Sequence, residues 1–439
     1  MAQRAWRQHD CEHPLGEPAD VPEAARPRLP RGFHTLIGTQ FLSSLADNAL
    51  LIVTIALLIE RGEAPWLAPL LKFGFTLAYV LLAPFIGALA DAVPKHRLMR
   101  WMNALKMLGL LALMLGLHPV AAFAIVGLGA AGYAPAKYGL LTELVKPQAL
   151  VAANGWLEVS VVGAALAGAV LGGLLVAPFW LDSALSMGLL AALSGEALPL
   201  AATRYLPSLL LILGLYAAAS ALNLRVPDSG VRYARRSFRP MALLGDFATQ
   251  QRTLWRDAEG GLSLAVTTVF WGLGATLQFA VLRWAEDRLG LPLAEATLLQ
   301  VAVAVGVVLG ACAAGRWVPL NQARRMLGFG VALGLLIPLI GLTHSVAAAL
   351  PLLVLVGAVG GLLVVPMNAL LQHRGHVLLS AGCSIAVQGF YENASVLAML
   401  AVYALLLREG VSIVLLMSGF GGAIALGMAV LMWRERQAR

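Results

Sequence analysis

Charged side chains are scarce in this sequence. Of its 439 residues only 12% are Asp, Glu, Lys or Arg, whereas 59% are hydrophobic and the mean hydropathy is +0.80. Soluble domains carry about 25% charged residues, so the composition excludes a soluble globular protein. The apolar residues stand in runs of about 20, the length of a spanning helix, and do not alternate as in a spanning β-barrel. The sequence therefore predicts a polytopic α-helical membrane protein.

Cysteine is also scarce, and so are the motifs of membrane enzymes. Cys11, Cys312 and Cys383 show neither a CxxC pair nor the spacing of metal ligands, so no disulfide framework and no metal site is expected. The sequence has no HxxxxD pair, no GxSxG motif, no paired histidines at metal spacing and no nucleotide-binding loop. These absences speak against an acyltransferase or another membrane enzyme, and no cofactor is expected.

The net charge of +8 is explained by membrane topology, without any nucleic-acid partner. If the N-terminus is cytoplasmic, most Lys and Arg fall in inner segments, and the outer loops hold only Arg61, Arg204, Arg288 and Arg408. This is the positive-inside bias of membrane proteins. It predicts a multi-pass protein among membrane lipids with both termini in the cytoplasm.

Twelve spanning helices are predicted, the third of them at 101–117, with a polar segment dividing them six and six. The predicted divisions are a disordered cytoplasmic tail at 1–32, an N-terminal six-helix bundle at 33–224, a basic cytoplasmic linker at 225–260, a C-terminal six-helix bundle at 261–433 and a cytoplasmic tail at 434–439. The stretch 179–204 is apolar too, but its uncharged run is too short to span. We expect an outer interfacial or re-entrant loop there.

The two halves carry matching patterns in the same order. The matches are Asn154-Gly-Trp-Leu-Glu158 with Gln388-Gly-Phe-Tyr-Glu392, and Pro135-Ala-Lys137 with Pro366-Met-Asn368. Chance can produce either match alone in helices rich in Ala, Gly and Leu, whereas two in one order favour a repeat. A parallel six-plus-six repeat is the layout of major facilitator transporters. The expected fold is an all-α integral membrane protein of twelve helices in two six-helix bundles.

The loop between predicted helices two and three resembles the signature of the major facilitator superfamily. Gly87 is followed by Asp91 and then by the basic Lys95 and Arg97. The two basic residues can pair with Asp91 or with a neighbouring helix end, and such a charge lock would stabilise one state of a rocking cycle. The alternative is positive-inside anchoring combined with a turn.

Polar side chains inside the predicted helices are candidate site residues, because a charge at bilayer depth costs about 2.5–3.5 kcal/mol. Asp47 and Asn48 lie near the middle of helix one, and Lys137 lies in the stretch YAPAKYG, where Pro and Gly predict an interrupted helix. We expect Asp47 to pair with Lys137, because Lys72 and Lys106 are close enough to their helix ends to snorkel. A purely structural salt bridge is the alternative.

A second polar set comprises Glu158, Asn368, Gln388, Glu392 and Asn393. For the amides, an interhelical hydrogen bond worth about 0.6–2 kcal/mol is the alternative explanation. Together the two sets predict a polar cavity with apolar walls. It suits a zwitterionic head group with an acyl chain. The phosphate would lie near Lys137, and the amine of the substrate near Asp47 or Glu392. A sugar would want more aromatic surface, and a small hydrophobic cation would need only the acids.

Several segments resemble, in order, those of the bacterial lysophospholipid transporter family: QFLSSLADNALL, the AD-x(3)-K-x-R loop, GAAGYAPAKYGLLTEL, VAANGWLEVS, FWGLGATLQF, VVPMNALLQHRG and AVQGFYEN. The resemblance implies transfer of lysophospholipids, chiefly lysophosphatidylethanolamine, from the outer to the inner leaflet of the bacterial cytoplasmic membrane. It also implies functional coupling to a cytoplasmic acyltransferase–acyl-carrier-protein synthetase, and we expect a monomer. Asp47 and Lys137 match positions that contact the head group or switch the transporter. Gln278 stands where this family often has Arg, so a lock from Asp47 to that position is in question.

Two other function classes stay open. A proton-coupled exporter of drugs or small metabolites would use Asp47 or Glu392 as its proton carrier, and its activity would depend on the proton gradient. A receptor or scaffold without transport would have little reason to keep buried charges.

Overall fold

The architecture is that of a helical bundle, in a computed structural model that describes residues 29–64, 66–193, 203–233 and 238–437. Every regular element in those ranges is helical. The first part of the chain contains α1 (Phe33–Glu60), α2 (Leu67–Ala92), α3 (Lys95–Met114), α4 (Pro119–Leu144), α5 (Leu150–Val176), α6 (Pro178–Leu181), α7 (Ala184–Leu193) and α8 (Leu206–Asn223). The second part contains α9 (Pro240–Arg256), α10 (Ala258–Leu289), α11 (Leu293–Trp317), α12 (Leu327–Gly341), α13 (Val346–Leu378), α14 (Ala381–Arg408) and α15 (Ile413–Gln437).

Twelve of these helices correspond to the predicted spans. Eleven helices of the described chain are long and apolar enough to cross a membrane. The twelfth is α3, whose apolar character is lowered by Lys95, Arg97, Arg100 and Lys106. Large apolar side chains cover much of the outer surface, as expected for a bundle in lipid. The predicted all-helical, twelve-span fold is confirmed.

Helix α4 is continuous, and the predicted interruption at YAPAKYG is wrong. Pro135 lies inside Pro119–Leu144 without ending the helix, and Pro366 lies inside α13 in the same way. Proline removes one backbone hydrogen bond, but membrane helices tolerate it where neighbouring helices and small local adjustments compensate. Lys137 is therefore held on a regular helix.

Each half has its own apolar core. One core is formed by α1–α5 and α8 around Leu50 and Tyr216, and another by α10–α15 around Trp284 and Leu353. A third cluster joins the halves, where Val151 and Leu157 meet Ala311 and Val364. Apolar packing therefore stabilises each bundle and also the contact between the two bundles.

The segments outside the spans differ in detail from the prediction. Of 179–204, the described part forms α6 and α7, both too short to span, and 194–202 lie outside the described residues. The linker contains the helix α9, and α10 starts at Ala258 rather than at 261. Residues 1–28 of the predicted N-terminal tail and 438–439 of the predicted C-terminal tail also lie outside the described residues, whereas 434–437 belong to α15.

Candidate functional site

A cavity of about 360 Å³ lies between the two halves. Helices α1, α2 and α4 line one side, and α10 and α14 line the other. Of the predicted site residues, it brings together Asp47, Asn48, Lys137, Gln388, Glu392 and Asn393. Much of the remaining wall is apolar or aromatic, including Phe75, Ile86, Phe123 and Trp271. The cavity therefore contains a small group of polar side chains within a mostly apolar lining.

The partner of Asp47 is Lys106, so the expected pair with Lys137 is wrong. The Lys106 Nζ lies 2.6 Å from the Asp47 Oδ2, and the Tyr216 hydroxyl donates to the Asp47 Oδ1 at 2.6 Å. The side chain of Lys106 is only 2% exposed, so it does not snorkel to the membrane surface. It is buried because α3 starts at Lys95, which carries Lys106 about 17 Å into the bundle at 1.5 Å per residue.

The Lys106 ammonium is enclosed by further polar and aromatic groups. It donates to the Ser43 hydroxyl at 3.0 Å, and Ser43 donates to the Asn103 Oδ1 at 2.9 Å. The ring of Tyr133 lies 5.1 Å from the ammonium, within range of a cation–π contact. Asp47 and Lys106 thus form an ion pair inside the N-terminal half whose charges cancel.

Lys137 has no carboxylate partner in the described structure. Its ammonium donates to the neutral Gln40 Oε1 at 3.2 Å and lies 4.3 Å from the centre of the Tyr138 ring. Lys137 is 7% exposed, and it lines the cavity. An almost buried cation without a carboxylate at ion-pair distance is costly unless an anion is supplied. This makes Lys137 a candidate anion-binding group of the cavity, whose lining also includes Lys72.

The C-terminal half contributes a chain of amides and one carboxylate. Gln388 donates to the Asn368 Oδ1 at 3.0 Å and to the Glu392 Oε1 at 2.8 Å. Asn393 and Asn48 each donate to a backbone carbonyl of their own helix at 2.8 Å. The amide chain orients Glu392 at the cavity wall, whereas the other two amides are partly engaged within their helices.

Three of the predicted residues do not line the cavity. Asn368 is buried and reaches it only through Gln388. Glu158 is 6% exposed and interacts electrostatically with Lys137 from behind the wall. Gln278 is exposed, two turns of α10 beyond Trp271, and its own carbonyl accepts a hydrogen bond from Gln300. The structure gives Gln278 no contact with Asp47.

The predicted lock at Asp91 joins the two halves. Asp91 accepts hydrogen bonds from the Ser380 hydroxyl and, at 3.0 Å, from the Gly382 backbone N–H at the start of α14. The Asp91 carboxylate therefore lies at the N-terminus of α14, where the helix dipole favours a negative charge. Arg97 is exposed and forms no ion pair within the described chain, so it is not part of this lock. Ser380 was missed because a helix N-terminus 289 residues away in the sequence leaves no local signal near Asp91.

Glu143 is a second centre of this lock that sequence reasoning missed. The Lys95 ammonium lies 2.6 Å from Glu143 and 3.7 Å from Asp91. Ser229 and Tyr233 in the linker also donate to the Glu143 carboxylate. The linker is therefore tied to the same end of the bundle as the loop between α2 and α3.

A further pair of amides closes this end. Asn154 and Gln372 donate to each other, each at 2.9 Å, between α5 and α13. Asn154 drew notice in the sequence only as part of the repeat. The polar contacts between halves thus gather where α2, α4 and α13 end, and we refer to this end, at which the halves meet, as the closed end.

Comparisons with known proteins agree with this architecture. A model of the Major Facilitator Superfamily matches residues 36–381. The lysophospholipid transporter LplT of Yersinia pestis (strain Pestoides F) is 40% identical over 392 residues, which cover 89% of this chain and 90% of that protein. The chain belongs to the lysophospholipid transporter family of the Major Facilitator Superfamily.

Solved transporters share the fold of this family member at low sequence identity. An outward-facing bacterial homologue of the iron transporter ferroportin has a TM-score of 0.68 and 17% identity, covering 92% of this chain and 99% of the other. The human organic anion transporter MFSD10 has a TM-score of 0.67 and 15% identity, covering 91% and 99%. At such identities the likeness concerns the fold alone, and the cavity of this transporter must be read from its own residues.

Proposed function

We propose that the protein moves lysophospholipids, such as lysophosphatidylethanolamine, from the outer to the inner leaflet of the bacterial cytoplasmic membrane. The curated relatives carry the name of lysophospholipid transporters at 40% identity. The single observation that carries the assignment in this chain is Lys137, a cation without a carboxylate partner in the described structure, in a cavity with apolar walls. A phosphate with one attached acyl chain satisfies both features.

The head group is assigned to residues from both halves. The phosphate binds Lys137 on α4, because a charge-assisted hydrogen bond is worth about 1.5–3 kcal/mol. The amine of an ethanolamine head group binds Glu392 on α14, since Asp47 is already neutralised by Lys106 and Tyr216. The acyl chain lies along the aromatic and aliphatic wall around Phe75 and Trp271.

Transport by alternating access follows from this two-sided site. A substrate that contacts α4 and α14 at once stabilises the arrangement in which the halves approach each other around it. The contacts of Asp91, Glu143 and Asn154 stabilise the closed end of the bundle, and they must break when that end opens. The substrate's acyl chain enters sideways from the bilayer, so it need not cross water.

The remaining assignments belong to the same proposal. The bundles at 33–224 and 261–433 act as two rocking units joined by the linker at 225–260. Both termini are cytoplasmic, which puts the closed end of the bundle on the cytoplasmic side. The protein acts as a monomer, and a cytoplasmic acyltransferase–acyl-carrier-protein synthetase re-acylates the delivered lysophospholipid.

A transport assay in proteoliposomes tests the function. Labelled lysophosphatidylethanolamine is added outside, and its transfer is measured for the wild type, Lys137→Gln and the matched control Lys146→Gln, which removes an exposed charge outside the cavity. We expect transfer by the wild type and the control, little by Lys137→Gln, and no loss on adding a protonophore. A folded wild type that moves no lysolipid would overturn the assignment. Loss with the protonophore would instead favour the proton-coupled exporter.

A further inference from the structure

Helix α9 is an amphipathic helix that lies against the closed end of the bundle. Phe247 and Leu254 are buried, and the helix packs on α2, α10 and α14. Phe247 meets the Phe390 ring of α14 edge-on, with ring centres 5.5 Å apart. Its other face exposes large apolar side chains, with Met241 81% and Trp255 41% exposed. A helix that is apolar on its outer side and also carries arginines is typical of the lipid interface.

An open surface groove lies between α9 and α14. Its lining residues are Ala248, Gln251, Arg252, Trp255, Arg256 and Tyr391. The aromatic part is ordered by direct contacts, because the Trp255 and Tyr391 rings meet edge-on at 5.4 Å and the Tyr391 hydroxyl donates to the Gln251 Oε1 at 2.9 Å. One wall of this groove is therefore aromatic and held in place by these contacts.

The two arginines of this groove have no acidic partner in the described structure. Arg252 and Arg256 are exposed and stand four residues apart, on one face of α9. Two less exposed arginines of the same end are paired: Arg374 with Asp257, and Arg324 with Glu259 and Glu435. The groove therefore keeps two positive charges available beside an aromatic wall.

We propose that this groove binds an anionic phospholipid of the cytoplasmic leaflet. The phosphate lies between Arg252 and Arg256, because a guanidinium group can donate two parallel hydrogen bonds to phosphate oxygens. Trp255 and Tyr391 contact the glycerol region, the level at which aromatic residues gather in membranes, and the acyl chains follow the exposed apolar face near Met241. The proposal rests on the cytoplasmic orientation proposed above.

Lipid retention by the purified full-length protein tests the site. The wild type, the double variant Arg252→Gln/Arg256→Gln and the matched control Arg325→Gln/Arg436→Gln are titrated with phosphatidylglycerol or phosphatidylcholine, and bound lipid is counted by native mass spectrometry. The control removes two exposed arginines outside the groove. Each basic residue near a membrane surface contributes enough for about a fivefold change in affinity for anionic lipid. We expect the groove variant to lose tenfold or more for phosphatidylglycerol, and the control to behave like the wild type.

The contrary outcomes are distinct. Equal loss in the control would reduce the effect to overall charge and overturn the site, and so would equal binding of phosphatidylcholine and phosphatidylglycerol by the wild type. Displacement of the lipid by soluble glycerol phosphate at matched concentration would make the groove a site for soluble anions and overturn the lipid assignment. The readout needs no transport. If the wild type retains phosphatidylglycerol but moves no lysolipid, the groove assignment stands and the proposed function fails.

Discussion

The Asp47 carboxylate is held between two groups of its own half: the Lys106 ammonium and the Tyr216 hydroxyl each lie 2.6 Å from one of its oxygens. This leaves Lys137, a buried lysine that lines the cavity, with only a neutral acceptor at Gln40. One buried pair is therefore structural, and one buried cation is left for the substrate. The two lysines thus differ in role: Lys106 stabilises the fold, and Lys137 is available to bind the substrate.

The ion pair predicts a strong dependence of stability on Lys106. Lys106→Met leaves Asp47 charged and buried, and removing one partner of a buried pair costs about 3–5 kcal/mol. We expect a clear fall in the thermal unfolding temperature. The double variant Lys106→Met/Asp47→Leu should recover much of it, because no lone charge remains. A double variant less stable than the single one would show that the two charges do not act as a pair.

The amide pair at the closed end predicts a shift in conformation. Gln372→Ala leaves Asn154 without its partner in the closed state, so we expect that end to open more often. Cys383 is buried at the start of α14, and opening should expose its thiol. In a background with Cys11 and Cys312 replaced by Ser, a maleimide should label Cys383 severalfold faster in Gln372→Ala. The exposed Gln322→Ala serves as control, and an unchanged labelling rate in Gln372→Ala would contradict the lock.

Close packing of α11 on α13 predicts a steric limit at Gly310. A Cβ atom there would lie 2.1 Å from the Ala358 carbonyl oxygen, so Gly310→Ala must push the helices apart. Overpacking of this kind costs about 1–3 kcal/mol. The same substitution at Gly274 in α10 meets nothing within 4 Å and should be neutral or slightly stabilising. Thermal unfolding in detergent compares the two, and equal stability would exclude the contact.

Asp257, which precedes α10 and pairs with Arg374 near the end of α13, predicts a dependence of stability on pH. Asp257 caps α10, and the hydrogen bond from Arg374 keeps the pKa of Asp257 below its usual value. A lowered folded-state pKa stabilises the fold above the ordinary pKa of Asp, and this contribution is lost as the pH falls through the lowered value. Asp257→Asn should therefore be less stable than the wild type near neutral pH, with the difference shrinking below about pH 4. Asp246→Asn, at an exposed carboxylate on α9, is the matched control for loss of one charge, and a difference between Asp257→Asn and the wild type that does not change with pH would contradict the pairing.

Much of the fold is visible in the sequence because each spanning helix needs a long apolar run. The prediction went wrong where a helix began among charges. Helix three was expected from residue 101, whereas α3 starts at Lys95, since a helix can form in residues too polar to register as apolar. That shift of six residues made Lys106 look like a residue of the membrane edge.

The site was predictable in its members but less so in its contacts. Asp47, Lys137 and Glu392 attracted notice because charges in apolar helices are costly, and the structure brings them to one cavity. Their partners depend on how helices rotate and pack, which no local pattern encodes. Tyr216 in α8 was missed for this reason, since a tyrosine in an apolar helix is ordinarily a core residue.

The most direct test of the account is equilibrium binding of two ligands that differ only in the phosphate-bearing head group. Lysophosphatidylethanolamine and a monoacylglycerol with the same acyl chain are titrated against wild type, Lys137→Gln and Lys146→Gln. We predict that the wild type and Lys146→Gln prefer the phosphate-bearing ligand by about tenfold or more, and that Lys137→Gln loses this preference. A preference that survives intact in Lys137→Gln would contradict the assignment of Lys137 to the phosphate.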